Sequence, residues 1–265
     1  MNAKQRAKSL QRLAAGVMVL FSAGAVAEEA YLTMTIGYEA TSGKYGTATT
    51  TDIVTVPVSA LYESGRWALK LTVPYIQATG DGSVLASGGG RGRRATSTTT
   101  ATTTRTTNSG LGDVVALLAY NVYAAEEVDA GIDLAGRVKF GTASKTLGTG
   151  KNDYAAQLYV YRAIGDFMPS LIYGYEVLGS SAEAPLDNVH YGVVAGDYRF
   201  SELTNGGLEY RYSQQASATA AEQREAVLYA NREIGKGVHL RAYLLKGYAA
   251  GSPDSGYGLS ISSVY

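Results

Sequence analysis

Residues Val128–Gly141 read VDAGIDLAGRVKFG. Val128, Ile132, Leu134, Val138 and Phe140 share one parity, and Asp129, Asp133, Arg137 and Lys139 share the other. Side chains along a strand alternate between two faces, so this stretch has one oily and one charged face. As a helix it would scatter its charges around the cylinder, and Gly131, Gly136 and Gly141 would each cost about 1 kcal/mol. The pattern recurs about a dozen times along the chain, which predicts an all-β protein, a transmembrane antiparallel up-and-down β-barrel of about 12 strands.

The chain opens with Lys4, Arg6, Lys8 and Arg12, then an apolar run over Leu13–Phe21, then Ala25-Val26-Ala27. These are the three regions of a secretory signal peptide, with cleavage expected after Ala27. Residues 1–27 are read as the signal and 28–265 as an outer-membrane barrel, so the expected location is the outer membrane of a Gram-negative bacterium. The signal carries four of the 23 basic residues and none of the 23 acidic ones, which leaves the exported part at about −4. That balance gives no reason to expect a nucleic-acid partner. The chain has no cysteine, hence no disulfide or thiol chemistry, and its two histidines do not make a structural zinc site. Tyrosine is abundant (21) and phenylalanine scarce (4), as suits a membrane interface better than a dry core.

The alternation places strands at about Ala30–Glu39, Thr51–Tyr62, Arg66–Gln77, Gly112–Tyr123, Val128–Gly141 and Asp153–Ala163. It continues at Phe167–Leu178, Asn188–Tyr198, Asn205–Gln214, Arg224–Glu233, Gly237–Gly247 and Ser255–Tyr265. Arg224–Glu233 is apolar on both parities, and Val193 and Val194 fall on opposite faces, so the faces of those two strands stay open. Long connections alternate with turns of about three to six residues throughout, the loop asymmetry of outer-membrane barrels. An even strand count brings both chain ends to the periplasm, which makes the long connections extracellular. The longest, Ala78–Leu111, holds nine threonines between Thr96 and Thr107, Gly88–Gly90 and four arginines; such composition predicts disorder. Its alternative role is a basic loop touching lipopolysaccharide phosphates or folding partly over the barrel mouth. Tyr62, Trp67, Tyr123 and Phe167 fall near inner strand ends, and Tyr38, Tyr75, Phe140, Tyr154 and Tyr175 near outer ends. The last strand ends on Tyr265, an aromatic terminus of the kind the barrel-assembly machinery recognises. The expected partners are that machinery, outer-membrane lipid and lipopolysaccharide, and a small-molecule solute.

Ser109-Gly110-Leu111-Gly112-Asp113, preceded by Val73-Pro74-Tyr75 and a glycine-rich loop, is similar to an outer-membrane family named for the meta-pathway of phenol degradation. Lys139-Phe140-Gly141-Thr142, Leu147-Gly148-Thr149-Gly150, Asn152-Asp153-Tyr154 and Tyr173-Gly174-Tyr175 with Gly179 extend the resemblance over most of the exported chain. Phe140-Gly141-Thr142 departs from the family, which tends to place a proline before the threonine and an acid soon after. The resemblance implies a transporter of small, aromatic or hydrophobic molecules and brings no catalytic residue.

Gly148-Thr149-Gly150-Lys151 does not make a phosphate loop: Lys145 stands where the first glycine belongs, and Asn152 replaces the following Ser or Thr. His190 and His239 both fall on the parity read as lumenal, whereas a lipid-degrading Ser–His site would face outward. The credible functional set is therefore the charged inward parity. Its members, expected to line a lumen or pore, are Glu39, Lys70, Asp113, Asp129, Asp133, Arg137, Lys139, Glu176, Glu209, Arg211, His239 and Arg241. They can pair with one another, bias which solutes pass, or do both. No cofactor, metal or catalytic residue is expected. The favoured reading is a passive channel or solute-uptake barrel; the alternatives are a structural or adhesion barrel and, behind it, a lipid-modifying enzyme. Small inward positions (Gly131, Ala135, Gly174, Gly192, Gly256, Gly258 and Ser260) are expected to leave lumenal space.

Overall fold

A computed structural model describes residues 30–86, 94–96 (backbone only), 104–125, 128–180, 185–218 and 220–265. Residues 1–27, read above as a signal peptide, and most of the threonine-rich run lie outside them. The strands are β1 (Tyr31–Gly43), β2 (Thr51–Ser64), β3 (Trp67–Gly80), β4 (Val84–Ala86), β5 (Arg94–Thr96), β6 (Thr106–Leu111), β7 (Val114–Ala125) and β8 (Ala130–Phe140). They continue as β9 (Asp153–Arg162), β10 (Phe167–Val177), β11 (Val189–Arg199), β12 (Thr204–Ser213), β13 (Gln223–Gly235), β14 (Val238–Gly247) and β15 (Ser255–Val264). From β7 to β15 each strand pairs antiparallel with the next, β15 pairs with β1, β1 with β2, β2 with β3, and β3 with both β6 and β7. The ring is closed. With β6 and β7 as two parts of one wall strand it has twelve members and, as a transmembrane sheet must, no open edge.

Period-two alternation decides which side chains meet the surroundings. Leu134, Leu208, Leu228, Leu244 and Leu259 stand on the outer face with more than half of their surface exposed. An apolar belt of this extent suits hydrocarbon, not water. Tyr62, Trp67, Tyr123, Phe167, Tyr198 and Tyr265 flank it near the short turns, and Tyr38, Tyr75, Phe140, Tyr154, Tyr175 and Tyr257 near the long loops, all exposed. Register resolves the two open strands. On β11, Val193 is buried and Val194 faces out; on β13, Val227 is buried and Leu228 faces out.

Two expectations change. The segment read as one long loop over Ala78–Leu111 is partly wall: β3 runs on to Gly80, and Thr106–Leu111 pairs with it from Tyr75 to Gly80. The wall strand then breaks. Gly112 donates its N–H to the Pro74 carbonyl, and pairing resumes at Val115 opposite Thr72. The β1–β2 ladder has a matching gap around Gly37 and Pro57, and Pro57 stands directly opposite Pro74. Proline has no N–H to give a ladder, so the breaks share a cause.

The second concerns tyrosine. Tyr161, Tyr191, Tyr229 and Tyr243 face inward, and each stands directly opposite a glycine: Gly131, Gly174, Gly207 and Gly258 respectively. A Cβ on any of these glycines would collide with the facing tyrosine ring. The rings lie over the glycines and cover backbone that would otherwise be bare, a known way of rescuing strand glycine. Tyr159, Tyr161 and Tyr191 pack with Met168, Ile172 and Val193 as one buried cluster inside the barrel. Gly131, Gly174 and Gly258 therefore do not open the lumen as expected, and Gly192 is on the outer parity, opposite Tyr173 and Tyr212.

Candidate functional site

The candidate site is the lumen with its long-loop mouth. At the mouth Asp113, fully buried, accepts from Lys139 Nζ at 2.9 Å and from the Ala143 N–H at 2.9 Å. Lys139 also lies 3.0 Å from Asp153, whose other oxygen accepts from the Gly179 N–H at 2.8 Å. One ammonium thus ties two carboxylates, and each carboxylate pins the first residues of a mouth loop, 141–152 or 178–188. Gly112 precedes Asp113 because a Cβ there would sit 2.9 Å from Pro74 Cγ. The Gly112-Asp113 pair of the quoted motif is therefore a loop anchor, and Asp113 and Lys139 are enclosed beneath the loops.

The pinned loop turns inward. Its Leu147 is fully buried and, with Ala143, packs on Tyr45, Val84 and Ala86 from two other loops and on Ile53, Ile76 and Ala78 from the wall. Asp81 joins those loops by accepting from the Ser83 N–H at 2.9 Å and from the Ser83 and Thr49 hydroxyls. Burial alone would raise the Asp81 pKa, but these hydrogen bonds hold its carboxyl below the ordinary value. Residues 81–86 of the long segment thus fold over the mouth.

Deeper in the barrel, Glu209 is buried and bridges two arginines, accepting from Arg211 Nη2 at 2.7 Å and from Arg241 at 3.2 Å. The Arg241 guanidinium stacks 3.9 Å above the Tyr229 ring, and the Tyr229 hydroxyl donates to Asp197. Glu39 lies in the field of Arg211, Lys70 and Arg241, with Tyr243 beside it. Arg137 pairs with Glu176. Asp133 accepts from Asn121 Nδ2 at 2.6 Å, while its second oxygen is enclosed with no hydrogen-bond partner among the described residues. His239 lies half-buried on the inward parity near the short turns, opposite Glu233.

Two expected positions move. Asp129 is not on a strand: it sits in the turn before β8 with φ of 47°, and its backbone carbonyl accepts from the Ala163 N–H. His190 is on the outer face, not in the lumen. Its Nδ1 lies 2.7 Å from the Tyr173 hydroxyl, and its ring stacks on Tyr173 and lies tilted against Tyr175. That outward position removes the parity objection to a lipid-facing Ser–His site, but no serine hydroxyl bonds His190 among the described residues. The expected set lacks Asp153, Asp197 and the inward tyrosines. Asp153 opens its strand next to a loop, and Asp197 shares its parity with valine and alanine, so neither stands out in the alternation.

The chain matches no protein-family model and no curated protein sequence. Among solved structures it is similar to an outer membrane channel from Pseudomonas putida F1, at 13% identity and a TM-score of 0.64, covering 92% of this chain and 97% of that one. It is also similar to the NanC porin, at 13% identity and a TM-score of 0.53, covering 88% of this chain and 98% of that one. A third is the KdgM porin in complex with disordered oligogalacturonate, at 10% identity and a TM-score of 0.51, covering 86% and 98%. The chain therefore shares the fold of outer-membrane channel barrels.

Proposed function

We propose that the protein is an outer-membrane channel for small solutes and not an enzyme, as the resemblance to the phenol meta-pathway family also suggests. One observation carries this reading: a closed, lipid-belted barrel places ionisable side chains from nearly every strand on its inner face. Such groups are expensive at membrane depth and persist where they face a polar path. Similarity of fold to a channel and two porins supports it. Lipid and lipopolysaccharide would surround the belt, and Tyr265, hydrogen-bonded through its backbone to Leu32, would present the terminal aromatic to the assembly machinery.

A second reading, a structural barrel that conducts nothing, is favoured by the tyrosine-filled side of the lumen and the loop cluster over the mouth. Liposome swelling and single-channel recording with the refolded chain separate the two. Passage of small solutes, including aromatic acids and alcohols, is the expected result. Failure to pass any of them, with the barrel demonstrably folded, would leave the structural reading.

A further inference from the structure

Every inward-facing arginine and lysine on the described strands has a carboxylate partner except Lys70. Arg137, Lys139, Arg199, Arg211 and Arg241 are each in an ion pair. Lys70 stands directly opposite Leu61 on β2 and Leu117 on β7, with Ala68 next on its own face. Leu61, Ala68 and Ala119 form a buried apolar cluster against which Leu117 and Ala135 pack. The ammonium thus projects from an oily patch of wall. No ion pair joins Lys70 to a carboxylate among the described residues; the negative charge of Glu39 on β1 and the positive charge of Arg241 on β14 both act on it. An ammonium held away from bulk water is costly unless something pairs with it.

We propose that Lys70 and the surrounding Leu61, Ala68 and Leu117 form a lumenal binding site for small organic acids that carry one carboxylate on an apolar body. The carboxylate pairs with the ammonium, assisted by the field of Arg241, and the body lies on the leucine–alanine patch. Glu39 competes with the ligand for Lys70 and tunes how tightly it is held. The proposal builds on the channel reading by naming a solute class.

The test is titration of the folded barrel in detergent with sodium benzoate, with benzyl alcohol as the uncharged control, for wild type, Lys70→Gln, Lys70→Arg and Glu39→Gln. Heat-modifiable gel migration verifies that each variant is folded. Wild type should bind benzoate in preference to benzyl alcohol, and Lys70→Gln should weaken that binding by about tenfold, the scale of one charge-assisted contact. Lys70→Arg should retain it, and Glu39→Gln should bind as tightly as wild type or tighter. Equal benzoate affinity in wild type and Lys70→Gln, or no benzoate binding by wild type, would overturn the site. A loss in Glu39→Gln matching that in Lys70→Gln would mark general disruption of the lumen and overturn it too. The titration needs no conduction, so a barrel that binds benzoate yet passes no current refutes the channel and leaves the site standing.

Discussion

Tyr191 lies across Gly174, its direct cross-strand partner, and three more inward tyrosines, on β9, β13 and β14, repeat the arrangement. The lumen of this barrel is consequently built from pairs, each a large ring and an absent side chain. Gly174→Ala should force the ring off its seat and cost roughly 1–3 kcal/mol, as overpacking does. In a Tyr191→Ala background the same change should cost much less. Urea unfolding in lipid vesicles, followed through Trp67 (the one tryptophan), gives the double-mutant cycle. Additive effects would mean that ring and glycine do not depend on each other.

Lys139→Gln should be more damaging than its distance from either chain end suggests. It strands Asp113 and Asp153 as buried carboxylates without a cation, and removal of one partner from a buried pair costs about 3–5 kcal/mol. Because each carboxylate also holds a loop, limited proteolysis should show faster cutting in both 141–152 and 178–188. Cutting confined to one loop would separate the two anchors. Arg137→Gln, which leaves one carboxylate rather than two, should be milder.

How much of the barrel is legible in the amino-acid sequence depends on the range of the information. Which face a residue joins is local, and the alternation within Ala130–Phe140 is enough to place Asp133, Arg137 and Lys139 inward and Leu134 outward. What sits opposite a residue is not local. Gly131, Gly174 and Gly258 read as empty space because the tyrosines that fill it come from adjacent strands. His190 reads as lumenal because β11 carries valine on both parities, so only its pairing with β10 and β12 tells inside from outside. The inward turn of the loop at Leu147 is hidden for the same reason: its apolar partners come from β2, β3 and two other loops.

Leu134→Arg tests the outer face directly. Leu134 lies between Tyr120 and Leu158 in the middle of the belt and is 51% exposed. An arginine there should cost about 2–4 kcal/mol if it lies at the bilayer midplane. Leu134→Ala should cost clearly less, since it deletes apolar contact without adding a charge. Comparable losses for both, read as folded fraction on a heat-modifiability gel, would show that this face does not meet hydrocarbon.

Acid should loosen the mouth through Asp81. Its carboxyl is held below the ordinary value of 3.8, so its stabilising contribution is complete above that value. The contribution is lost as pH falls through the lowered one. Protease sensitivity of the described loop 81–86 should therefore rise only on strong acidification, measured with an acid-active protease. Asp81→Asn should be more sensitive already at neutral pH, because an amide cannot accept from the Ser83 N–H and two hydroxyls as a carboxylate does. A loop equally resistant at all pH values in both proteins would show that the Asp81 link does not hold it.

The opposed prolines make the last prediction. Pro57 and Pro74 face each other across β2 and β3, and the ladder is interrupted on both sides, at Gly37–Tyr38 and at Gly112–Val114. An unbroken antiparallel ladder protects amides until a whole segment opens, whereas amides beside a break can open locally. Hydrogen exchange in lipid should therefore be fast at Tyr38, Val58, Val73 and Asp113 relative to the continuous register of β9 to β12. Pro57→Ala restores one N–H beside Gly37 and should slow exchange at its neighbours, provided the added donor finds an acceptor there. Uniform protection around all twelve wall strands would mean that the prolines interrupt the hydrogen bonding without weakening the wall.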